Sequence, residues 1–189
     1  MICGIDEAGR GPLAGPVYAA AVILGDNFPR EQRDLLNDSK KLSPAKREEL
    51  RRQIIEGALA WGIGLASHTE IDSINILQAS LLAMKRAFDE MCKKLSSLPP
   101  DLSAIVDGTK VPAISIPCTA MVKADAKVHE VMAASILAKT ARDAYMDEMA
   151  LLYPQYGYAK HKGYPTKAHR EAVLKYGPSP IQRMSFRVR

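Results

Sequence analysis

Two kinds of hydrophobic spacing alternate along the chain. Short, nearly continuous apolar runs at residues 2–7 and 17–24 flank a stretch rich in Gly and Pro, and predict two adjacent strands. Ser43-Pro44 predicts a helix start, with serine as N-cap and proline at the first helical position. Leu50, Ile54, Ile55 and Ala58 give that helix an apolar face. Trp61, Ile63 and Leu65 alternate with Gly62 and Gly64, the pattern of a third strand. Ile74, Leu77, Leu81, Met84, Phe88, Met91 and Leu95 then recur at steps of three and four. That spacing predicts one long amphipathic helix whose stripe belongs to the core.

Ser96 to Pro100 breaks the helical pattern, and Ala104-Ile105-Val106 is a short strand ending at Asp107-Gly108. A further strand over about 113–122 contains Pro117, which places it at a sheet edge or bulge. An Ala-rich helix is expected from about Asp125 to Leu152, and a shorter one from Thr166 to Tyr176, closed by Gly177-Pro178. Alternating strands and helices predict an α/β layered domain. We expect residues 1–152 to form the main domain and 153–189 a basic, helical C-terminal extension packed on it as one structural unit. The pattern contains no internal repeat, low-complexity tract or linker.

With 47% hydrophobic and 25% charged residues, the 189-residue chain has the balance of one soluble globular domain. It contains no run of about 18 apolar residues, and Asp6 and Glu7 interrupt the apolar start too early for a signal peptide. A cytoplasmic protein is expected. Cys3, Cys92 and Cys118 form no C-x-x-C pair, so they read as reduced small hydrophobes. The net charge of +5 is unevenly spread. From Leu151 onward, eight Lys and Arg face Glu171 alone. Tyr153, Tyr156, Tyr158 and Tyr164 lie among these cations, which suits either a polyanion offering rings or sugars to stack on, or a solvated basic surface.

The acidic residues carry the sharpest signal. Asp6 and Glu7 end the first strand, Asp107 ends a later one, and Asp125 stands where a helix begins. Sites in α/β folds lie at such termini. Carboxylates gathered there would need cations, and hard oxygen ligands suit Mg²⁺ or Mn²⁺. Asp125 reads equally as a helix cap. Because neighbouring side chains on a strand point to opposite faces, Asp6 and Glu7 can share a metal site only if the strand bends or ends between them.

Other chemistries find little support. Gly9 to Gly15 fits a dinucleotide fingerprint, but Pro12 and Pro16 interrupt it and a strand follows where the motif needs a helix. Its glycines read instead as allowing the backbone close to a ligand. His68, His129, His161 and His169 form no metal-ligand pair, and neither a nucleophile elbow nor a P-loop occurs.

Six motifs then appear in order: D-E-A-G-R-G-P-L-A-G-P-V (Asp6 to Val17), N-D-S-K-K-L-S (Asn37 to Ser43), V-D-G (Val106 to Gly108), K-A-D-A-K (Lys123 to Lys127), A-A-S-I-L-A-K-T-A-R-D (Ala133 to Asp143) and H-K-G-Y-P-T (His161 to Thr166). Together, over nearly the whole chain, they resemble bacterial ribonuclease HII, the type 2 ribonuclease H. The resemblance implies a ribonuclease H-like fold, a mixed central sheet flanked by helices. It implies Asp6, Glu7, Asp107 and Asp125 as catalytic carboxylates holding two divalent ions, Mg²⁺ or Mn²⁺. Gly9, Arg10, Gly11 and Tyr164 are implied to recognise the ribonucleotide 2′-hydroxyl and the RNA–DNA junction. Weaker candidates for phosphate contacts are Ser39, Lys40, Lys139, Lys162 and Arg183. Lys40 reads equally as a solvated helix approach, and Lys139 and Arg142 as outward charges on their helix. The chain departs from the family pattern at Ala124, Val128 and Gln182, where glycine, serine and histidine are frequent.

The implied activity is hydrolysis of the RNA strand of RNA–DNA hybrids and cleavage 5′ of ribonucleotides embedded in duplex DNA. A two-metal mechanism would leave 3′-hydroxyl and 5′-phosphate ends. The expected partners are those two nucleic acids, with no membrane, and the protein is expected to be monomeric. A junction resolvase of the same fold superfamily, a non-catalytic hybrid-binding module and a dinucleotide oxidoreductase are the rival classes.

Overall fold

The structure, a computed structural model, describes residues 1–37 and 41–188. The two apolar runs form antiparallel strands β1 (Ile2–Ala8) and β2 (Val17–Ile23). A short helix α1 (Arg30–Leu36), which the hydrophobic pattern did not announce, precedes α2 (Pro44–Gly57). The hydroxyl of Ser43 accepts the Lys46 amide and Pro44 opens the helix, as the Ser-Pro pair predicts.

Strand β3 (Ala60–Ala66) has the expected alternation, but its fully buried face is the small one. A Cβ on Gly62 or Gly64 would lie 2.3–2.4 Å from backbone atoms of Ala87 in α3 (His68–Cys92). Glycines in the strand thus meet Ala83 and Ala87 in the helix, so that the two backbones nearly touch. Trp61 and Ile63 remain partly accessible on the other face. Helix α3 starts earlier than its apolar stripe, at a Ser67–Glu70 capping box, and is broken at Asn75 (φ 71°). The Asn75 side chain caps the turn that follows by accepting the Gln78 amide. The hydrophobic period runs straight across this kink, which is why the pattern alone reads as one helix.

Strand β4 (Ser103–Asp107) and the four-residue edge strand β5 (Cys118–Met121) follow. The strand expected over about 113–122 is shorter: β5 begins after Pro117, and it is an edge strand as expected. The sheet order is β3-β2-β1-β4-β5, antiparallel on the β2 side of β1 and parallel on the β4 side. Helix α3 covers one face, where Cys3, Ile5, Val106 and Phe88 are buried together. The other face is covered by α2 and α4 (His129–Leu152), over Ala20, Val22, Ile54 and Leu137. Each large side chain so buried is worth roughly 1.5–3 kcal/mol. Gly4 lets α4 approach, because a Cβ there would sit 2.1 Å from the Glu130 backbone. Helix α4 begins at residue 129 instead of 125, and Val128 at its N-cap offers no side-chain hydrogen bond.

Past α4 come a one-turn helix α5 (Tyr158–His161) and α6 (Lys167–Tyr176), the latter capped by Thr166 and closed by Gly177 as the sequence predicts. Tyr156 and Tyr158 pack with Ala14, Met146 and Val173, and Gln182 pairs with Ala14 in an isolated bridge. These two tyrosines are therefore core residues, stacked on each other, and are not available to stack on a ligand. No described helix is long and apolar enough to cross a membrane. All three cysteines are free thiols.

Candidate active site

Strand pairing brings the acidic residues together. Ile5 stands beside Val106 in the parallel β1–β4 register, so the next residues, Asp6 and Asp107, are neighbours at the carboxyl ends of their strands. Asp125 reaches them from a 3₁₀ turn (Ala124–Ala126) that follows a left-handed Lys123 (φ 57°). One carboxylate oxygen from each of Asp6, Asp107 and Asp125 lies within 4.8 Å of the others. The Ala124 amide fixes Asp107 by donating to its Oδ1 at 2.8 Å, and the Glu7 amide fixes Asp6 likewise.

Strand alternation separates Glu7 from this trio. Asp6 shares the α4 side with Gly4, whereas Glu7 follows Cys3 and Ile5 toward α3. Its Oε1 lies 3.7 Å from Arg10, and its buried Oε2 has no hydrogen-bond partner. The two remain in electrostatic reach. Burial, then Glu7, then Asp107 and Asp125 hold the Asp6 carboxyl well above the usual carboxylate range. Burial raises Glu7 as well, against the pull of Arg10. Two carboxylates at that separation repel by about 3–4 kcal/mol at an effective dielectric of 20. Three hard oxygen donors gathered this closely, one buried and two half-buried, fit a divalent cation of the Mg²⁺ or Mn²⁺ type.

The loop leaving β1 is built around two arginines. Arg183, proposed above as a phosphate contact, is completely buried. Its guanidinium donates to the carbonyls of Gly9, Arg10, Pro12, Gly15 and Pro16, leaving none of its face for a phosphate. Arg142, proposed as an outward charge, is only 2% exposed and donates to the carbonyls of Ala14, Pro16 and Lys162. The glycines are explained by the same contacts. A Cβ on Gly9 would lie 2.1 Å from Arg142 Nε, and Gly15 and Gly163 also border that side chain. They make room for an internal guanidinium, not for a ligand. Gly11 differs, since a Cβ there would meet only the edge of the Tyr164 ring, at 3.8 Å.

Tyr164 is 42% exposed, on a turn braced by two stacked, buried histidines. His161 accepts the Gly163 amide at Nδ1 and faces the Tyr156 carbonyl with Nε2, while His169 Nδ1 faces the Tyr164 carbonyl. Burial holds both imidazoles below their ordinary pKa. Of the remaining candidates, Lys139 pairs with Asp143 and Lys162 with Asp147. Ser39 and Lys40 lie outside the described residues.

Comparison with known proteins decides the family. A model of the ribonuclease HII family matches residues 3–189. The chain belongs to the ribonuclease HII family. It is 54% identical to the ribonuclease HII of Treponema denticola, over 100% of this chain and 99% of the relative, and 53% identical to that of Dechloromonas aromatica, over 98% and 90%. Among solved structures it is similar to the ribonuclease H2 of Pyrococcus horikoshii (28% identity, TM-score 0.77, 99% and 94% covered). It is also similar to the ribonuclease HII of Archaeoglobus fulgidus, which was solved in complex with PCNA (27% identity, TM-score 0.78, 100% and 96% covered). The mixed five-stranded sheet between helices is the ribonuclease H-like fold. Family membership makes the protein a metal-dependent ribonuclease acting on RNA–DNA hybrids, and the Asp6, Asp107 and Asp125 trio is the place among the described residues where a metal ion could be held.

Proposed function

We propose that this ribonuclease HII cleaves both the RNA strand of hybrids and duplex DNA carrying a single ribonucleotide, cutting on its 5′ side and leaving 3′-hydroxyl and 5′-phosphate ends. The observation that carries the reading is the convergence of three carboxylates, of which Asp6 ends the strand that leads into the exposed Arg10 and Gly11, with Tyr164 beside Gly11. Asp6, Asp107 and Asp125, with Glu7 beside them, would hold two divalent ions. Such a pair supplies an activated water and charge stabilisation at the leaving 3′-oxygen. The chain's own residues do the rest. Arg10 neutralises one side of Glu7, and the exposed surface that Gly11 forms beside the Tyr164 ring would receive the sugar. Phosphate is common to ribose and deoxyribose, so discrimination must come from the 2′-hydroxyl.

The test is a duplex with one embedded ribonucleotide, incubated with and without Mg²⁺ or Mn²⁺, followed by analysis of the ends. Metal-dependent nicking 5′ of the ribonucleotide is expected, with no cutting of an all-DNA four-way junction. Junction cleavage, or binding without cleavage, would overturn the reading. Gly11→Ala sharpens it. The fold has room for the methyl group, but the sugar does not, so cleavage at the ribonucleotide should fall while thermal stability holds.

A further inference from the structure

Arg142 and Arg183 are two buried cations facing backbone. Neither forms an ion pair among the described residues; burial pulls Arg142 below its ordinary value, and burial together with the neighbouring Arg142 charge pulls Arg183 down to about 9, so that Arg183 remains protonated at neutral pH. A loop could be held in place at lower cost. The geometry of the peptide group suggests what the arrangement achieves. In a trans peptide the C=O of one residue and the N–H of the next point in opposite directions. Arg183 draws the carbonyls of Gly9 and Arg10 inward at 2.6 and 3.0 Å, which turns the amides of Arg10 and Gly11 outward. Both residues are exposed, and among the described residues neither amide donates a hydrogen bond within the protein. A cation on the carbonyl side also polarises the peptide and strengthens the donor on the other side. Arg142 ties the loop to the Tyr164 turn, because it holds the loop through Ala14 and Pro16 and the turn through Lys162.

We propose that Arg183 and Arg142 are positioning residues for ribose discrimination: Arg183 aims the amides of Arg10 and Gly11 at the substrate sugar, and Arg142 sets their spacing from Tyr164. The inference rests on the reading of the Gly11 and Tyr164 surface as the sugar site. A guanidinium presents five donors in a rigid fork, and an ammonium cannot reproduce it.

Arg183→Lys keeps the charge and removes the fork. On a single-ribonucleotide duplex kcat/KM should fall roughly tenfold to a hundredfold, mainly through KM. The inhibition constant of an all-DNA duplex of the same sequence, used as competitor, should not move. A merely structural role would instead lower kcat with the folded fraction and leave the ratio of KM to that inhibition constant intact, and this result overturns the proposal. Arg142→Lys is the second variant, since it leaves the five bonds of Arg183 in place. In the unaltered protein without divalent ions, the Arg10 and Gly11 amides should gain exchange protection on the ribonucleotide duplex and not on all-DNA duplex; equal protection overturns the proposal even if neither variant folds. Gly11→Ala separates the two ideas. If it loses discrimination and Arg183→Lys keeps it, the sugar site stands and the arginine role falls; if Gly11→Ala also discriminates normally, the sugar site itself is wrong.

Discussion

The fold gathers two groups of like charge from distant parts of the chain and treats them in opposite ways. The carboxylates of Asp6, Asp107 and Asp125 converge, and burial, Glu7 and the two other aspartates hold Asp6 well above its usual pKa. The guanidiniums of Arg142 and Arg183 are more deeply buried, and backbone carbonyls accept eight hydrogen bonds from them. One cluster gathers charge of a single sign where a cation could be held, and the other is enclosed by backbone carbonyls of the protein. The first is a site for binding, and the second is a rigid mount. The Glu7–Arg10 contact joins them.

The strongest way to test that contrast is Asp6→Asn. The change keeps the Oδ1 that accepts the Glu7 amide and removes one charge from the trio. Cleavage should drop by on the order of a thousandfold or more, an effect of several kcal/mol in the barrier, and Asp107→Asn should behave likewise. Stability should move the other way. A carboxyl whose folded pKa is raised stabilises the fold while protonated, and that contribution is lost as pH rises through the raised value. Asparagine cannot ionise, so in chelator at neutral pH the Asp6→Asn protein should unfold at a higher temperature than the parent, with the difference closing in acid. A lower unfolding temperature would show that the trio is not repulsive. By the same logic, removing either arginine should destabilise without any compensating gain.

This contrast also marks what could be read in the sequence. Strands, the Ser43 cap, the Thr166–Gly177 helix and the converging aspartates were legible, because each depends on local spacing or on a motif ending at a strand terminus. The arginines were not, since a charged residue in a Lys-Thr-Ala-Arg-Asp run looks solvated. A signal existed, because Ala134, Ala138, Arg142 and Met146 recur every four residues and all are buried, which puts Arg142 on the inward stripe of α4. Arg183 and the buried Tyr156 and Tyr158 had no such signal. Their burial depends on the C-terminal segment folding back on the residue 9–16 loop, a long-range contact that no local period records. Glu7 was legible as a difficulty, and the strand alternation that raised it is what keeps its carboxylate out of the trio.

Acid should affect the two regions with opposite sign. The His161–His169 stack is held neutral, with folded pKa values below the ordinary one of about 6.5. Unfolded imidazoles therefore take up protons first, and the stability that the pair contributes is full above that pH and is lost as pH falls below it. Denaturant titrations between pH 7.5 and 5 should show stability falling, and His169→Phe, which retains a stacking ring beside His161 and Tyr158, should flatten the slope. Asp6, raised by its surroundings, contributes the reverse trend in the same chelated samples, so Asp6→Asn should steepen it. An unchanged slope in His169→Phe would mean that the stacked pair titrates normally.

The smallest effect belongs to Lys139, one turn before Arg142 on the same helix. Its ammonium is half exposed and sits 3.1 Å from Asp143 at i,i+4. Such a pair contributes roughly 0.3–0.5 kcal/mol, because water screens it and both side chains give up rotamer freedom. A cation already matched by its own carboxylate releases few counterions when a polyanion arrives. Lys139→Gln should accordingly change stability by less than about 0.5 kcal/mol and leave the slope of log affinity against log salt on a hybrid duplex unchanged. A true phosphate contact would lower that slope by about one. A drop of that size would place Lys139 at the nucleic-acid interface and show that an exposed ion pair can exchange Asp143 for phosphate at little cost. Without it, α4 divides its cations cleanly, with Arg142 facing inward to hold the loop and Lys139 facing water.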